Sequence, residues 1–269
     1  MYTLNPHYMD SDVAQQPTRA GFGRGLLEAG KLDETVVALC ADLTESTQMH
    51  LFREAYPDRF VEIGVAEQNL VTVASGMARA GKIPFTSSYA AFSPGRNWEQ
   101  IRTTIALNDM PVKIIGSHAG ISVGPDGATH QVLEDIGMMK MLPGMTVIVP
   151  CDFNQTKAAT IAIADYEGPV YLRFGRPVIP VFTPADQKFE IGKAVMLNEG
   201  TDVSIFATGH LVWEAILAGE KLAEEGIDVE IINIHTIKPL DEEAVLVEAE
   251  SILAPSEPQA EGNVEFKYE

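Results

Sequence analysis

The stretch from Phe60 to Asn69, Phe-Val-Glu-Ile-Gly-Val-Ala-Glu-Gln-Asn, runs an apolar strand pattern into Gly64 and sets Glu67 where the next helix begins. In parallel α/β sheets that junction is where chemistry collects. A carboxyl in a dry setting there can exchange a proton, but a helix N-terminus also favours an ordinary first-turn carboxylate. A second segment, Ser117 to Gln131, places His118, Asp126 and His130 on Gly-rich backbone that a ligand can approach closely. A lone histidine is usually a plain surface or core residue. Two histidines on one such loop with an aspartate between them suit the binding of hydroxyls and the passing of protons. Ser88 to Phe92, Ser-Tyr-Ala-Ala-Phe, adds Tyr89 and Phe92, which by themselves read as core aromatics.

These residues need a scaffold, and short β-branched runs alternating with longer helical patterns predict a parallel sheet covered by helices. Strands are expected at Thr35 to Leu39, Arg59 to Ile63, Val112 to Gly116, Thr146 to Val149, Val170 to Arg173, Val203 to Ala207 and Val229 to Ile234. Helical spacing marks Leu70 to Ala80, Trp98 to Leu107, Gln155 to Ala164, Val212 to Glu225 and, near the end, Asp241 to Glu250. Phe174 to Lys188, with Pro177, Pro180 and Pro184, breaks the periodicity and reads as a linker. The division is therefore set at residues 1–183 and 184–269. With two clear strands the second domain looks thin, and Ala254 to Gly262 has a loop composition; Val264 to Tyr268 is a candidate extra strand.

In order and spacing, Gly64 to Asn69, Asp126 to Gln131 and Ser93-Pro-Gly-Arg-Asn-Trp-Glu-Gln-Ile-Arg102 together resemble the pyrimidine-binding half of transketolases. These are thiamine diphosphate enzymes that move two-carbon ketol units between sugar phosphates. The resemblance runs from Pro17 to about Glu250, and parts of it are shared with deoxyxylulose phosphate synthases and the β subunits of 2-oxo acid dehydrogenases. It implies that Glu67 shares a proton with the aminopyrimidine ring and that Tyr89 and Phe92 wall that ring. Asp42, after the strand ending at Leu39, matches a residue beside the cofactor; read alone it is a turn or helix-capping Asp. His118 and His130 would polarise the donor ketose, Asp126 would contact the hydroxyl next to its carbonyl, and Arg19, Ser46 and Arg176 would hold the substrate phosphate. Arg173 and Arg102 lie nearby in pattern and read equally well as structural ion-pair partners.

Family members usually carry more strands and helices after the second domain's first strands, so this domain is expected to be short or to end in an atypical tail. The family also holds its metal and diphosphate with Gly-Asp-Gly and a distant Asn, and this sequence contains no Gly-Asp-Gly. The implied partner is a separately encoded diphosphate-binding chain that brings Mg2+, in an α2β2 complex. The run Gly21-Phe-Gly-Arg-Gly25 superficially suggests dinucleotide binding, but it follows polar residues instead of a strand, and Leu26 stands where the third glycine belongs.

Composition narrows the classes further. Nineteen Lys and Arg against 38 Asp and Glu give a net charge of −19, which argues against nucleic acid and anionic membrane surfaces. Cys40 and Cys151 have no Cys-x-x-Cys pair or metal-spaced His and read as buried thiols in a reducing cytosol. No targeting or membrane-spanning pattern stands out, so a cytoplasmic location is expected. The reading is a transketolase subunit that works only with its diphosphate-binding partner. Its rivals are a deoxyxylulose phosphate synthase-like or sulfosugar ketol transferase, and a non-catalytic assembly or regulatory subunit.

Overall fold

The computed structural model of the chain describes residues 4–253. Its main sheet contains β2 (Val36–Cys40), β3 (Phe60–Glu62), β4 (Ile83–Tyr89), β5 (Lys113–Ser117), β6 (Thr146–Ile148), β7 (Val170–Arg173) and β12 (Thr236–Lys238). The spatial order is β12-β6-β7-β5-β4-β2-β3, parallel throughout except for β12, which pairs antiparallel with β6. β2 and β5 are buried along their full length, as expected for strands covered on both faces.

On one face lie α1 (Thr18–Leu32), α2 (His50–Ala55) and α6 (Phe153–Ala164), whose Phe22, Leu26, Phe52, Ala159 and Ile163 close a core with Val36, Ala38 and Phe85. On the other lie α3 (Glu67–Arg79) and α4 (Trp98–Gln100), with α4 continuing into a π-helical turn at Ile101–Ile105; Leu70, Val71, Ala74, Ile101 and Ile105 cover Leu39 and Ile114 there. α5 (Asp135–Lys140) adds Met139 to this second core.

The Gly21 to Gly25 run lies inside α1, although a three-residue strand, β1 (Gln15–Pro17), does precede it, contrary to the reading of that stretch as non-strand. The glycines serve helix packing. A Cβ on Gly21 would fall 2.2 Å from the Phe153 carbonyl oxygen and one on Gly25 2.6 Å from Thr160 Cβ, so α1 meets α6 backbone to backbone only without side chains there.

Three further expectations are corrected. The supposed linker contains β8 (Val178–Pro180), which pairs antiparallel with β1. β4, absent from the expected strands, is central in the sheet, and its polar Thr86, Ser87 and Ser88 are all fully buried. The second sheet has three strands, not two: β10 (Val203–Ala207) runs parallel to β11 (Val229–Asn233), and β9 (Val195–Asn198) pairs antiparallel on β11's other side. α7 (Leu211–Glu224) packs Val212, Ala215 and Ile216 on this sheet, and α8 (Glu242–Leu253) follows β12. The candidate strand at Val264 to Tyr268 lies outside the described residues. No described helix is long and apolar enough to cross a membrane, and both cysteines are free and buried.

Asp152 ties the two sheets' supports together. It caps α6 by accepting from Gln155 N–H at 2.8 Å, and it also accepts from the N–H groups of Phe182 and Thr183 and from the Thr183 hydroxyl at 2.7–2.9 Å. Burial pushes its carboxyl pKa up while these donors work the other way. Asp152→Asn keeps the size but turns an NH2 group toward donors, so urea unfolding should show a loss of about 1–3 kcal/mol; an unchanged midpoint would remove Asp152 from this role.

Candidate active site

Because β2, β3, β4, β5 and β7 run the same way, the loops after them open on one edge. Asp42 follows β2, Glu67 follows β3, Tyr89 ends β4, His118 follows β5 and Arg176 follows β7. Three of these turns need left-handed backbone: φ is 58° at Asp42, 79° at Gly64 and 56° at His118. For the two non-glycine residues this conformation is uncommon and is held by neighbours. Glu62 does part of the holding, accepting from Asp42 N–H at 2.7 Å, Gly64 N–H at 3.0 Å and Thr44 Oγ1 at 2.9 Å. Asp42 is thus a turn residue and not a helix cap, and its side chain is exposed.

Glu67 opens α3 and is 5% exposed. Arg96 Nη1 donates to its two carboxylate oxygens at 3.1 and 3.2 Å, and Asn97 Nδ2 donates to its backbone oxygen at 2.8 Å. The Arg96 guanidinium lies 4.2 Å from the centre of the Phe92 ring. An open cleft of about 730 Å³ adjoins, lined by Val65, Ala66, Glu67, Gln68, Asn69, Thr72 and Arg96.

Beside it, four rings cluster. Tyr89 stacks on His118 at 4.0 Å, Phe92 lies 6.1 Å from Tyr89 at an interplanar angle of 18°, and His130 meets Phe92 edge-on at 5.1 Å. Arg19, from the first turn of α1, donates from Nη1 to His118 Nε2 at 3.0 Å. A guanidinium only donates, so Nε2 is the bare nitrogen and Nδ1 carries the proton, which it gives to Ser117 Oγ at 2.7 Å. Burial, then Arg19 and Arg176, lower the His118 pKa to about 4, with Asp126 working against them. The ring is therefore neutral near pH 7. Donation to a ketose carbonyl would need a proton on Nε2, which here accepts from Arg19.

Arg176 lies 3.5 Å from Asp126 and donates to the Val123 carbonyl at 2.8 Å, which joins the loop after β7 to the Gly-rich loop. The structure thus brings Arg19, Tyr89, Phe92, His118, Asp126, His130 and Arg176 together, with Glu67 linked to Phe92 through Arg96. Ser46 and Asp42 lie on the β2–α2 loop, and neither has a hydrogen bond to the others among the described residues. Arg173 is structural: with the Tyr171 hydroxyl it pairs with buried Asp135 at 3.1 Å. Arg96 was missed, although it sits inside the Ser93 to Arg102 segment, because its partner lies 29 residues away.

The family model for the transketolase pyrimidine binding domain matches residues 14–181, and that for the transketolase C-terminal domain matches residues 192–264. The chain belongs to the transketolase family. It is 48% identical over 229 residues to a putative transketolase C-terminal section of Methanocaldococcus jannaschii, covering 84% of this chain and 72% of that one. To a 6-deoxy-6-sulfo-D-fructose transketolase subunit of Clostridium sp. (strain MSTE9) it is 45% identical, covering 82% and 69%. A solved split gene transketolase, described as an inactive beta4 tetramer, superposes with a TM-score of 0.82 at 41% identity, covering 88% of this chain and 77% of that one. This transketolase chain has the make-up of the pyrimidine-binding, β-type subunit of a split enzyme.

The residues fit one end of thiamine diphosphate. A buried carboxyl, aromatic rings and a cleft are present for the aminopyrimidine, whereas no group of three or more His, Cys, Asp or Glu that could hold a metal occurs among the described residues. One electrostatic consequence is measurable. Lowered pKa values near 4 for His118, His210 and His235, against 6.5 ordinarily, mean that the unfolded chain takes up these protons first. Stability should therefore fall as pH drops from about 6.5 to about 4. Imidazole nitrogen NMR should show His118 as the Nδ1–H tautomer titrating near pH 4, and Arg19→Met should move that midpoint upward. A wild-type midpoint above 6 would contradict the Arg19 contact.

Proposed function

We propose that this chain is one half of a two-carbon ketol transferase acting on sugar phosphates, with a separately encoded chain supplying the Mg2+ and diphosphate ligands of the thiamine diphosphate site. The observation that carries the reading is the buried Glu67 carboxyl at the start of α3, opening on a cleft at the same sheet edge as the Tyr89, Phe92, His118 and His130 rings. When bound, the cofactor supplies a thiazolium carbon that becomes nucleophilic on losing its proton.

Glu67's part is to share a proton at a carboxyl oxygen with the far nitrogen of the aminopyrimidine, in a place that excludes water. Tyr89 and Phe92 give that ring its apolar neighbours, and Asp42 stands at the adjoining strand end. His130 and Asp126, on the Gly-rich loop, are set to bind substrate hydroxyls. Arg19 and Arg176, with Ser46, concentrate positive charge and donors at one edge of an acidic chain, which suits an anionic sugar substituent.

Assembly follows from the missing half of the site. One chain brings the pyrimidine pocket and the other the diphosphate ligands, so catalysis belongs at their interface and the complex is α2β2. The related split gene transketolase solved as a tetramer of β chains is described as inactive, which supports dependence on a partner. A sulfosugar donor is the second reading, favoured by the 45% identity to a 6-deoxy-6-sulfo-D-fructose transketolase subunit; arginine donors can also pair with the oxygens of a sulfonate.

The isolated chain should be inactive and bind thiamine diphosphate weakly, with both properties restored by the partner; calorimetry showing tight, Mg2+-dependent binding to this chain alone would refute the split site. In the complex, Glu67→Gln should slow exchange of the cofactor's C2 proton by about a hundredfold or more. Arg176→Ala should raise KM for phosphorylated sugars far more than for unphosphorylated ones. Equal losses on both substrate types, with a lowered Tm, would make Arg176 a structural residue.

A further inference from the structure

Arg96 touches two of the residues that the proposed site assigns to the cofactor ring, Glu67 and Phe92, yet nothing in that assignment uses it. Its guanidinium rests on the face of Phe92, 4.2 Å from the ring centre, and its Nη1 faces the Glu67 carboxylate. A buried carboxylate is costly unless it is paired, and Glu67 is 5% exposed. Arg96 itself is 52% exposed, so the pair spans the boundary between core and cleft.

The form of the contact matters. An arginine normally grips a carboxylate as a fork, with two nitrogens on two oxygens. Here one nitrogen straddles both oxygens, at 3.1 and 3.2 Å. A carboxylate has about four lone-pair positions, so each oxygen keeps accepting capacity that the guanidinium leaves free. The backbone is fixed from the same loop: Asn97, next to Arg96, donates to the Glu67 carbonyl at 2.8 Å and to Ser93 Oγ at 3.1 Å. One loop therefore holds Glu67 at both its main chain and its side chain, and Glu67 borders the cleft that Val65, Gln68 and Arg96 also line.

We infer that Arg96 is the positioning residue of Glu67: braced on Phe92, it balances the buried carboxylate in the free chain and sets the plane of the carboxyl group so that one oxygen meets a ring nitrogen entering the cleft. This rests on the reading of Glu67 as the cofactor's proton partner. Arg96 does not itself touch the reacting carbon. Its effect passes through the orientation of Glu67, and misplacing such a group costs catalysis even when binding survives.

Two measurements test this, and they separate it from the underlying reading. In the free chain, Tm values for Arg96→Met, Glu67→Gln and the double variant form a cycle. Arg96→Met should lower Tm by about 5 °C or more, and adding Glu67→Gln should recover most of that loss, because the uncompensated charge is gone. Additive effects would overturn the pairing. In the complex with the diphosphate-binding chain, Mg2+ and thiamine diphosphate, Arg96→Met should slow C2-proton exchange by about a hundredfold. Arg96→Lys, which keeps the charge but loses the planar group braced on Phe92, should restore most of the Tm while exchange stays about tenfold or more below wild type; exchange at the wild-type rate in Arg96→Lys would overturn the bracing. A lowered Tm with wild-type exchange in Arg96→Met would show a structural residue only and overturn the inference. The wild-type complex is the control for the reading beneath it: rapid exchange that Glu67→Gln leaves intact would sink the role of Glu67, whatever Arg96 does.

Discussion

Same-direction pairing of β2 through β7 is the constraint on which the site depends. Parallel strands force every crossover back to the same end, so their C-terminal loops share one edge whatever sequence they carry. That alone brings together residues as distant as Glu67 and Arg176. The arrangement must be rigid to be useful, and the rigidity comes from packing: α1 against α6 through Gly21 and Gly25 on one face, α3 and the Ile101–Ile105 turn on the other. Arg19 inherits its position from that first contact, since it sits two residues before Gly21, the first of the glycines that let α1 lie close to α6.

Charge is managed locally against the overall sign. A net −19 would repel an anionic substrate if it were evenly spread. At the edge, however, three arginines gather, each engaged by a different kind of partner. Arg96 faces a buried carboxylate, Arg176 a half-exposed one, and Arg19 a neutral imidazole. Only the last pairing leaves its positive charge uncancelled. The same burial that keeps His118 neutral therefore leaves the Arg19 charge available at this edge, because a protonated ring would drive the guanidinium away.

Much of this was legible from residue order, for identifiable reasons. Glu67 announced itself because a strand, a glycine and a helix start are consecutive in sequence, and the two histidines because one loop carries both. Arg96 did not, since its meaning lies in a pairing across 29 residues that no local pattern encodes. β4 was hidden because Thr86, Ser87 and Ser88 are polar and yet fully buried, which breaks the rule that buried parallel strands read as apolar. α1 was hidden for the opposite reason: glycines that signal turns by propensity were selected for helix contact. β9 and β12 are short, and β12's antiparallel place beside β6 is a tertiary event that follows from no feature of Thr236 to Lys238 alone.

The proposed division of the cofactor's needs between two chains also bears on how this edge is kept stable in the lone chain. An open cleft at a buried carboxylate, with aromatic faces beside it, is an unfavourable surface to leave uncovered. Here it is partly self-satisfied. Tyr89 has His118 on one face, Phe92 has Arg96, and Glu67 has both Arg96 and Asn97. Such internal pairing stabilises the lone chain; the contacts on the ring faces compete with stacking that the cofactor would make, whereas the Arg96 contact leaves accepting capacity on Glu67 free. A partner chain that covers exposed Val65 beside the cleft would remove water from the Glu67–Arg96 pair and strengthen it. Assembly and ring binding would then act on the same ion pair from two sides. That makes the pair the natural point at which formation of the complex and readiness for chemistry are coupled.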